Sequence, residues 1–348
     1  MKTYDIAVIG AGPAGATFAR LAAESGRKIL VIDGSDKYGK PCGGLLAPDA
    51  QKVLAGFDLT LPRDILADPQ IFAVRTIDLP KKIVKYYSRM YLNMDRKRFD
   101  EWLVSLIPDN ADTVKAHCRS IAKNGRGYTV TYKNDSGEYS ARCRYLVGAD
   151  GANSIVRRTF FDTDIMYYVA IQQWFECSGQ VDPFYSCIFD PETSESCSWS
   201  IHKDKYFIFG GSFAPEKCRE MFERQKQRLS CMDGFCFGEP IRTEACKVYR
   251  PRKMSDFCTG EGNVFLIGEA AGFISPSSFE GISSAMKSGT MLAEAFLGGG
   301  NIYENYNRKA LALKLKMYAK CYKRPFMYEP VLRELVMRSG VTAIDVKA

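Results

Sequence analysis

Four short stretches of this 348-residue chain hold residues whose types and spacing could do chemistry. The first is GAGPAG, in which Gly10, Gly12 and Gly15 keep a GxGxxG spacing around Pro13 and Ala14, with Asp33 and Gly34 further on. Glycines so spaced permit a tight turn, let a pyrophosphate approach the backbone at a helix N-terminus, and let helix and strand pack closely. Asp33 is placed to accept hydrogen bonds from ribose hydroxyls. The second and third stretches are Asp150-Gly151 and Gly268-Glu269, each closing an apolar run; Pro276 and then Gly281-Ile282 follow the latter and open a small-residue helix. The fourth is GKPCGGLLAPD, where Pro41, Gly43 and Gly44 bracket the thiol of Cys42 in a backbone almost stripped of side chains.

These residues need elements to hold them. MKTYDIAVIGAGPAGATFARLAAESGRKILVID predicts a strand over Tyr4–Ile9, the glycine turn, a helix over Pro13–Ser25 and a strand over Lys28–Ile32. YLVGADGANSIVRR and NVFLIGEAAGFISPSSFEGISSAMKSG each predict a buried strand running into a turn and then a helix. Gly10, Asp150 and Gly268 lie more than a hundred residues apart, so one ligand held at all three turns must be long. FAD fits; a nicotinamide cofactor would not need the last segment. Between these segments, Ile71–Leu79, Ile83–Asn93, Val169–Glu176, Phe184–Asp190, Cys197–His202 and Tyr206–Ser212 alternate and are rich in Tyr, Phe and Val. They predict an antiparallel sheet assembled from two insertions, with a charged helix over 214–235 outside it. One face of that sheet offers Trp174, Phe175, Tyr185, Trp199, Tyr206 and Phe209 as apolar walls for a substrate, Trp199 and Tyr206 foremost. His202 reads as a polar loop residue.

Bulk features limit the function classes. Twelve cysteines are scattered without any CxxC, and only His117 and His202 are available, so no metal site is expected. With no signal-peptide pattern and no apolar run near the roughly eighteen residues of a membrane span, a cytoplasmic chain with reduced thiols is expected. The net charge of +8 is local: seven Lys/Arg and no acid lie in 305–324, leaving +1 for the rest. On a helix, Lys309, Lys316, Lys320 and Lys323 share one side and Leu311, Leu315, Tyr318 and Tyr322 the other. That pattern fits either peripheral contact with a membrane surface or a solvated face on a helix packed by its Leu/Tyr stripe. No nucleic-acid module accompanies the charge, so no nucleic-acid partner is expected.

The three nucleotide segments resemble those of glutathione-reductase-type FAD proteins with the p-hydroxybenzoate hydroxylase-like fold. MDRKRFDEWL is similar to that fold's Arg-x-x-Phe-Asp-x-x-Leu helix, which implies that Arg96 lies beside the FAD. KPCGGLLAPDAQ, YLVGADGAN, AIQQWF, FYSCIFD, SWSI and FLIGEAAGFIS resemble the CbrA-type oxidoreductases of the geranylgeranyl reductase family over nearly the whole chain. The resemblance implies an α/β fold class: an FAD-binding Rossmann-like domain (1–69, 94–160 and 256–300) interleaved with a mostly antiparallel β-sheet substrate domain (70–93 and 161–255). A C-terminal helical segment, 301–348, would follow. It also implies that the Pro41–Gly44 bend passes under the flavin, where a side chain at Gly43 or Gly44 would collide with the ring. Cys42 is then a proton donor, a disulfide partner or a cavity wall. Two departures stand out: Glu269 replaces the commoner Asp, and SWSIHK carries His202 where the reductases have proline. The implied activity is FAD-dependent reduction of a C=C bond in an apolar substrate, isoprenoids included, with electrons from NAD(P)H or a ferredoxin-like donor. A flavin-dependent aromatic monooxygenase is the first alternative; no GWxGxxIP-type segment supports halogenation. A non-catalytic FAD-containing redox sensor at the membrane surface is the second.

Overall fold

The structure is a computed structural model that describes residues 1–34, 40–161, 164–177 and 183–346. In chain order the first stretch forms β1 (Lys2–Ile9), α1 (Pro13–Ala22), β2 (Ile29–Asp33), β3 (Leu45–Leu46), α2 (Pro48–Ala55), β4 (Ile71–Asp78), β5 (Ile83–Asn93) and α3 (Arg96–Ser105). The middle supplies β6 (Ala111–Lys115), β7 (His117–Asn124), β8 (Gly127–Asn134), β9 (Gly137–Gly148), α4 (Ile155–Phe160), β10 (Tyr167–Glu176), β11 (Phe184–Phe189), β12 (Cys197–Lys203) and β13 (Tyr206–Phe213). Then come α5 (Cys218–Leu229), β14 (Arg242–Tyr249), β15 (Gly260–Glu261), β16 (Val264–Leu266), α6 (Ile282–Leu297), α7 (Ile302–Ala319), α8 (Arg324–Tyr328), α9 (Pro330–Ser339) and β17 (Ala343–Ile344).

The chain divides into two compact units, each built from separated segments: Met1–Gly39, Lys97–Met166 and Tyr249–Cys321 in one, Lys40–Arg96, Tyr167–Val248 and Tyr322–Ala348 in the other. The sequence-based division differs in placing 40–69 with the nucleotide segments and 301–348 by itself.

The first unit holds a sheet in the order β15-β16-β9-β1-β2-β6, with β7 and β8 attached to β9. β1, β2, β6, β9 and β16 pair in parallel. Parallel strands are covered on both faces, which is why ILVID of β2 is buried at every position and β1 carries an unbroken buried IAVI run. The turn from β1 into α1 shows why glycine is required: Gly10 has φ +100, and a Cβ at Gly15 would sit 1.9 Å from the Gly10 carbonyl oxygen. α1 is three residues shorter than the sequence predicts, because its last turn tightens into a 3-10 turn over Ala23–Ser25 before Gly26 closes it in the left-handed region. α6 packs on α1 through Gly289, whose Cβ would lie 2.5 Å from the Ala14 carbonyl.

The second unit holds a sheet in the order β14-β10-β13-β12-β11-β4-β5-β17, with β3 on β5. It is mostly antiparallel; β11 and β4 pair in parallel. Alternation decides its faces. Phe175, Phe207, Phe209 and Phe213 project to one side and pack with Phe222 and Leu229 of α5 in a fully buried core. Phe175 and Phe209 are therefore core residues, which corrects their assignment as substrate walls. His202 is likewise on a strand rather than in a loop: it is buried in β12 with its ring 5.1 Å from that of Phe207. At the chain's far end Arg333 of α9 is buried and donates to Asp78 of β4 at 2.8 Å, with further bonds to the carbonyls of Met327 and Tyr328.

The basic helix departs from the reading in which its Leu/Tyr stripe packs it. α7 buries Tyr306, Ala310, Leu313 and Met317, while Leu311 and Leu315 are about half exposed (52% and 51%) and Tyr322 beyond it is exposed. Of the Leu/Tyr stripe, Tyr318 is partly buried against the core while the two leucines face outward. Lys309 is engaged with Glu294 of α6 at 2.6 Å. No helix among the described residues is long and apolar enough to cross a membrane.

Candidate functional site

In the first unit the three turns singled out by sequence come together. A Cβ at Gly10 would lie 2.6 Å from the Ala149 carbonyl oxygen and 3.0 Å from Asp150 Cα, and one at Gly268 would lie 2.8 Å from Ala14 Cβ. The turns thus meet at the carboxyl ends of β1, β9 and β16, where a parallel sheet places its ligand. A cavity of about 1150 Å³ bordered by Met1, Lys2, Tyr4 and Asp112 lies at the opposite end of β1 and contains none of these residues.

The residues fit a dinucleotide. Gly10 and Gly15 are glycine because the fold leaves no room for a side chain, but a Cβ at Gly12 would meet nothing within 4 Å. Gly12 caps α1 with no side-chain hydrogen bond, Pro13 follows, and no acid occupies the first turn. The amides of Ala14 and Gly15 there form an N-terminal cradle with positive dipole, suited to pyrophosphate. Asp33 ends β2 with its carboxylate 2.9 Å from Lys115 Nζ, and Gly34 abuts His117. Lys115, at the matching end of β6, is a partner the sequence reading missed, because the β2/β6 pairing that brings it there is long-range.

Asp150 is strongly perturbed by its surroundings. Its Oδ2 accepts from Ile155 N–H at 2.6 Å, while Oδ1 is buried with no hydrogen-bond partner. Burial pushes its pKa up from 3.8 to about 6, against the pull of these hydrogen bonds. An orphaned carboxylate oxygen is a vacancy for a ligand donor. Gly151 adopts φ +70 in open space. Gly268 (φ +59) donates its N–H to Ser288 Oγ at 2.8 Å, and Glu269 accepts from Tyr249 N–H at 3.0 Å. Glu269 thus uses its extra methylene to reach backbone. Pro276 offers its carbonyl to Arg250 Nε at 3.4 Å; Gly281 caps α6, and Ile282 is its first residue. The buried Arg157, seen in sequence only as one of a basic pair, donates to the carbonyls of Ala270 and Asp256 and so braces the Gly268–Ala271 turn.

The second unit presents the cysteine bend. Cys42 Sγ accepts from Gly44 N–H at 3.4 Å. Gly44 has φ +64, and its carbonyl receives Met94 N–H at 2.9 Å and Lys203 Nζ at 3.2 Å. A Cβ at Gly44 would strike Met94 O at 2.4 Å, and one at Gly43 would strike Ile201 Cδ1 at 2.7 Å. These glycines are accordingly demanded by this unit's own packing, without appeal to a flavin ring. Lys203 also donates to Asn93 Oδ1 and, at 2.7 Å, to Met94 O; burial pulls its pKa down from 10.5 to about 8. Arg96 opens α3 two residues past Met94 and is partly exposed.

Sequence reading missed Lys203, and it missed a second group on the same sheet face. Glu244 accepts from Gln172 Nε2 at 2.7 Å, from Trp174 Nε1 at 3.0 Å, and from Arg242. This fixes the Gln172 amide, whose Nε2 also reaches the Cys42 carbonyl at 3.4 Å. Gly210 lies between Gln172 and Trp199 across three strands, and the indole of Trp199 covers it. Gln172 Oε1 and Trp199 Nε1 are both buried without a partner. By strand alternation Tyr206, Trp174 and Tyr185 share this face, and the rings of Tyr206 and Trp174 are 5.8 Å apart. An acceptor, a donor and aromatic surface flank the thiol.

Comparison with known proteins bears on the family and the cofactor. The family model described as "FAD binding domain" matches residues 113–310, and that described as "Lycopene cyclase protein" matches 5–176. Protein CbrA of Shigella sonnei is 44% identical over 352 residues, covering 99% of each chain; Protein CbrA of Escherichia coli matches to the same extent. Among solved structures, a geranylgeranyl bacteriochlorophyll reductase-like protein from Thermoplasma acidophilum superposes with a TM-score of 0.81 at 21% identity, covering 97% of this chain and 91% of that one. PqsL, a probable FAD-dependent monooxygenase from Pseudomonas aeruginosa, gives 0.71 at 15%, covering 97% and 99%. At these identities the two structures show a shared fold. With a dinucleotide cradle in place and near-complete coverage by the relatives, the chain belongs to the CbrA family and is an FAD-dependent oxidoreductase.

Proposed function

We propose that this protein reduces a carbon–carbon double bond in a largely apolar substrate, isoprenoid chains included, with Cys42 as the proton donor. The observation that carries the reading is the Pro41–Gly44 bend, where a thiol is held by its own backbone on a face lined by Trp199, Trp174 and Tyr206. When bound and reduced, FAD would supply hydride chemistry for the first alkene carbon. Cys42 Sγ gives its proton to the second carbon and regains one from solvent. Trp199 and Tyr206 orient the apolar body and exclude water. Gly10, Gly12, Pro13, Ala14, Gly15, Asp33 and Gly34 would hold the adenosine and pyrophosphate end of FAD. Asp150, Gly151, Gly268, Glu269, Pro276, Gly281 and Ile282 would hold the rest, with Arg96 and the Pro41–Gly44 bend toward the ring. NAD(P)H or a ferredoxin-like protein supplies the electrons, since one dinucleotide fingerprint is present. The likeness to the Thermoplasma reductase-like protein supports this class.

The test is anaerobic. The holoprotein is photoreduced and mixed with prenyl and aromatic alkenes, and flavin absorbance and saturated product are followed together. Reoxidation by an alkene with matching product supports the proposal. Reoxidation by oxygen alone, with an aromatic compound hydroxylated in step, sinks it and favours the monooxygenase reading that the likeness to PqsL supports.

A second reading concerns location. The exposed Leu311 and Leu315 on the basic α7 favour contact with an anionic membrane surface by a cytoplasmic protein. Neutralising Lys309, Lys316, Lys320 and Lys323 should then abolish cosedimentation with phosphatidylglycerol vesicles; unchanged cosedimentation refutes it.

A further inference from the structure

We infer that Cys177 and Cys236 form a redox-modification site, closing reversibly to an intramolecular disulfide by exchange with a low-molecular-weight disulfide such as oxidised glutathione. Neither residue belongs to the flavin or substrate groups above, and the site does not depend on the proposed reaction.

The two thiols are 59 positions apart in sequence, yet their sulfurs lie 2.9 Å apart, one donating its S–H to the other. A disulfide bond is about 2.05 Å long, so closure asks for a movement of about 0.9 Å. Both partners are held on firm supports. Cys177 follows the last residue of β10, and its N–H is bonded to the Lys205 carbonyl at 3.0 Å, continuing the β10/β13 ladder. Cys236 sits between Phe235 and Phe237, whose rings contact Phe207 at 6.0 and 5.7 Å; Phe237 also contacts Phe175 and Phe209. These aromatic contacts hold the Cys236 backbone against the sheet, so the sulfurs meet because the fold delivers them. The contact also governs their chemistry: the bond to Cys177, with burial, pushes the Cys236 thiol up to about 11. At neutral pH Cys236 is therefore stored as its thiol, and its oxidation proceeds through a small thiolate fraction.

The step balances without the flavin. One thiol loses its proton and attacks the small disulfide, releasing one thiolate and leaving a mixed disulfide on the protein. The second protein thiol, also deprotonated, displaces the remaining small thiolate and forms the Cys177–Cys236 bond. Two protein thiols are oxidised, one small disulfide is reduced to two thiols, and both protons end on the released thiolates.

Closure would fasten the segment after α5 to the end of β10. That segment leads into β14: Ile241 N–H bonds to the Trp174 carbonyl at 2.9 Å, and Glu244 then orients Gln172 and Trp174. Oxidation thus staples the strand pair that fixes the polar group beside Cys42, and reduction frees it.

The full-length protein is equilibrated in glutathione buffers from reducing to oxidising, quenched in acid, alkylated, and mapped by mass spectrometry without reduction. A linked Cys177–Cys236 peptide rising with oxidising poise, and a melting temperature several degrees above that of the reduced protein, are expected. Cys177→Ser and Cys236→Ser should each abolish the peptide and the melting difference. Absence of the linked peptide from folded protein in the most oxidising buffer would overturn the proposal, as would its appearance with no change in melting. So would a melting rise that survives in both serine variants.

Discussion

Replacing Lys203 by methionine, which keeps the length and volume of the side chain, tests how the cysteine bend is held. The substitution strands two buried acceptors, Asn93 Oδ1 and Met94 O, while Gly44 O keeps its bond from Met94 N–H. At about 1–3 kcal/mol each, their loss costs about 2–6 kcal/mol. Against that, the wild type carries a buried ammonium whose pKa is depressed from 10.5 to about 8. Below about pH 8 the folded and unfolded chains are both protonated, and burying the charge costs about 3 kcal/mol. Between about pH 8 and 10.5 the folded state binds fewer protons than the unfolded one, so stability rises with pH across this window as the penalty is relieved. From about pH 7 to about pH 9.5 the wild type should recover about 2 kcal/mol, and the methionine variant none of it. Guanidinium unfolding by far-UV circular dichroism at stepped pH reads the difference. The wild type's advantage should be small at neutral pH and widen by about 2 kcal/mol at the alkaline end. A gap that stays constant or narrows would refute the placement of a charged lysine under the bend.

Other outcomes follow from the same geometry. Gly15→Ala should unfold or strongly destabilise the protein, by about 3 kcal/mol or more, because its Cβ would meet the Gly10 carbonyl; Gly12→Ala should melt like the wild type without cofactor and lose FAD affinity in a fluorescence titration. Asp150 has its folded pKa raised, so its ionised form weakens the cofactor-free fold by about 3 kcal/mol above about pH 6, a cost that fades as pH falls toward 4. Asp150→Asn should therefore raise the cofactor-free melting temperature at pH 8 but not near pH 4, and should weaken FAD binding because an amide N–H₂ must occupy the orphaned acceptor's place. Cys42→Ser should leave FAD bound and slow reoxidation by a proven alkene at least tenfold; an unchanged rate would remove Cys42 from the reaction.

The parts of the fold legible in sequence were those written locally. GxGxxG states its own turn, and the strands given bounds from sequence lie within two residues of those bounds, because buried parallel runs and alternating aromatic runs are local patterns; β6, β7, β8 and β14 were not anticipated. Strand parity was equally available: Trp174 and Phe175 are adjacent and so cannot line one face, and only the pairing of Gln172, Gly210 and Trp199 shows which face stays open. Lys203 was hidden because a lysine in a sequence reads as surface, and the acceptors that let it be buried come from Gly44, Asn93 and Met94, far away in the chain. α7 carries two apolar stripes at helical spacing, and periodicity alone does not decide which of them finds a neighbour. The proximity of Cys177 to Cys236 likewise depends on where two aromatic side chains anchor a turn.

The ion pair between Arg333 and Asp78 gives the last helices a role that their polar surface conceals. Asp78 has no exposure at all, and the arginine answering it is delivered some 250 positions later. A shortened chain ending before α9 would strip Asp78 of the guanidinium that answers it, at a cost of about 3–5 kcal/mol. Chains trimmed at that helix should thus be less stable, even though they retain every motif implicated in flavin binding.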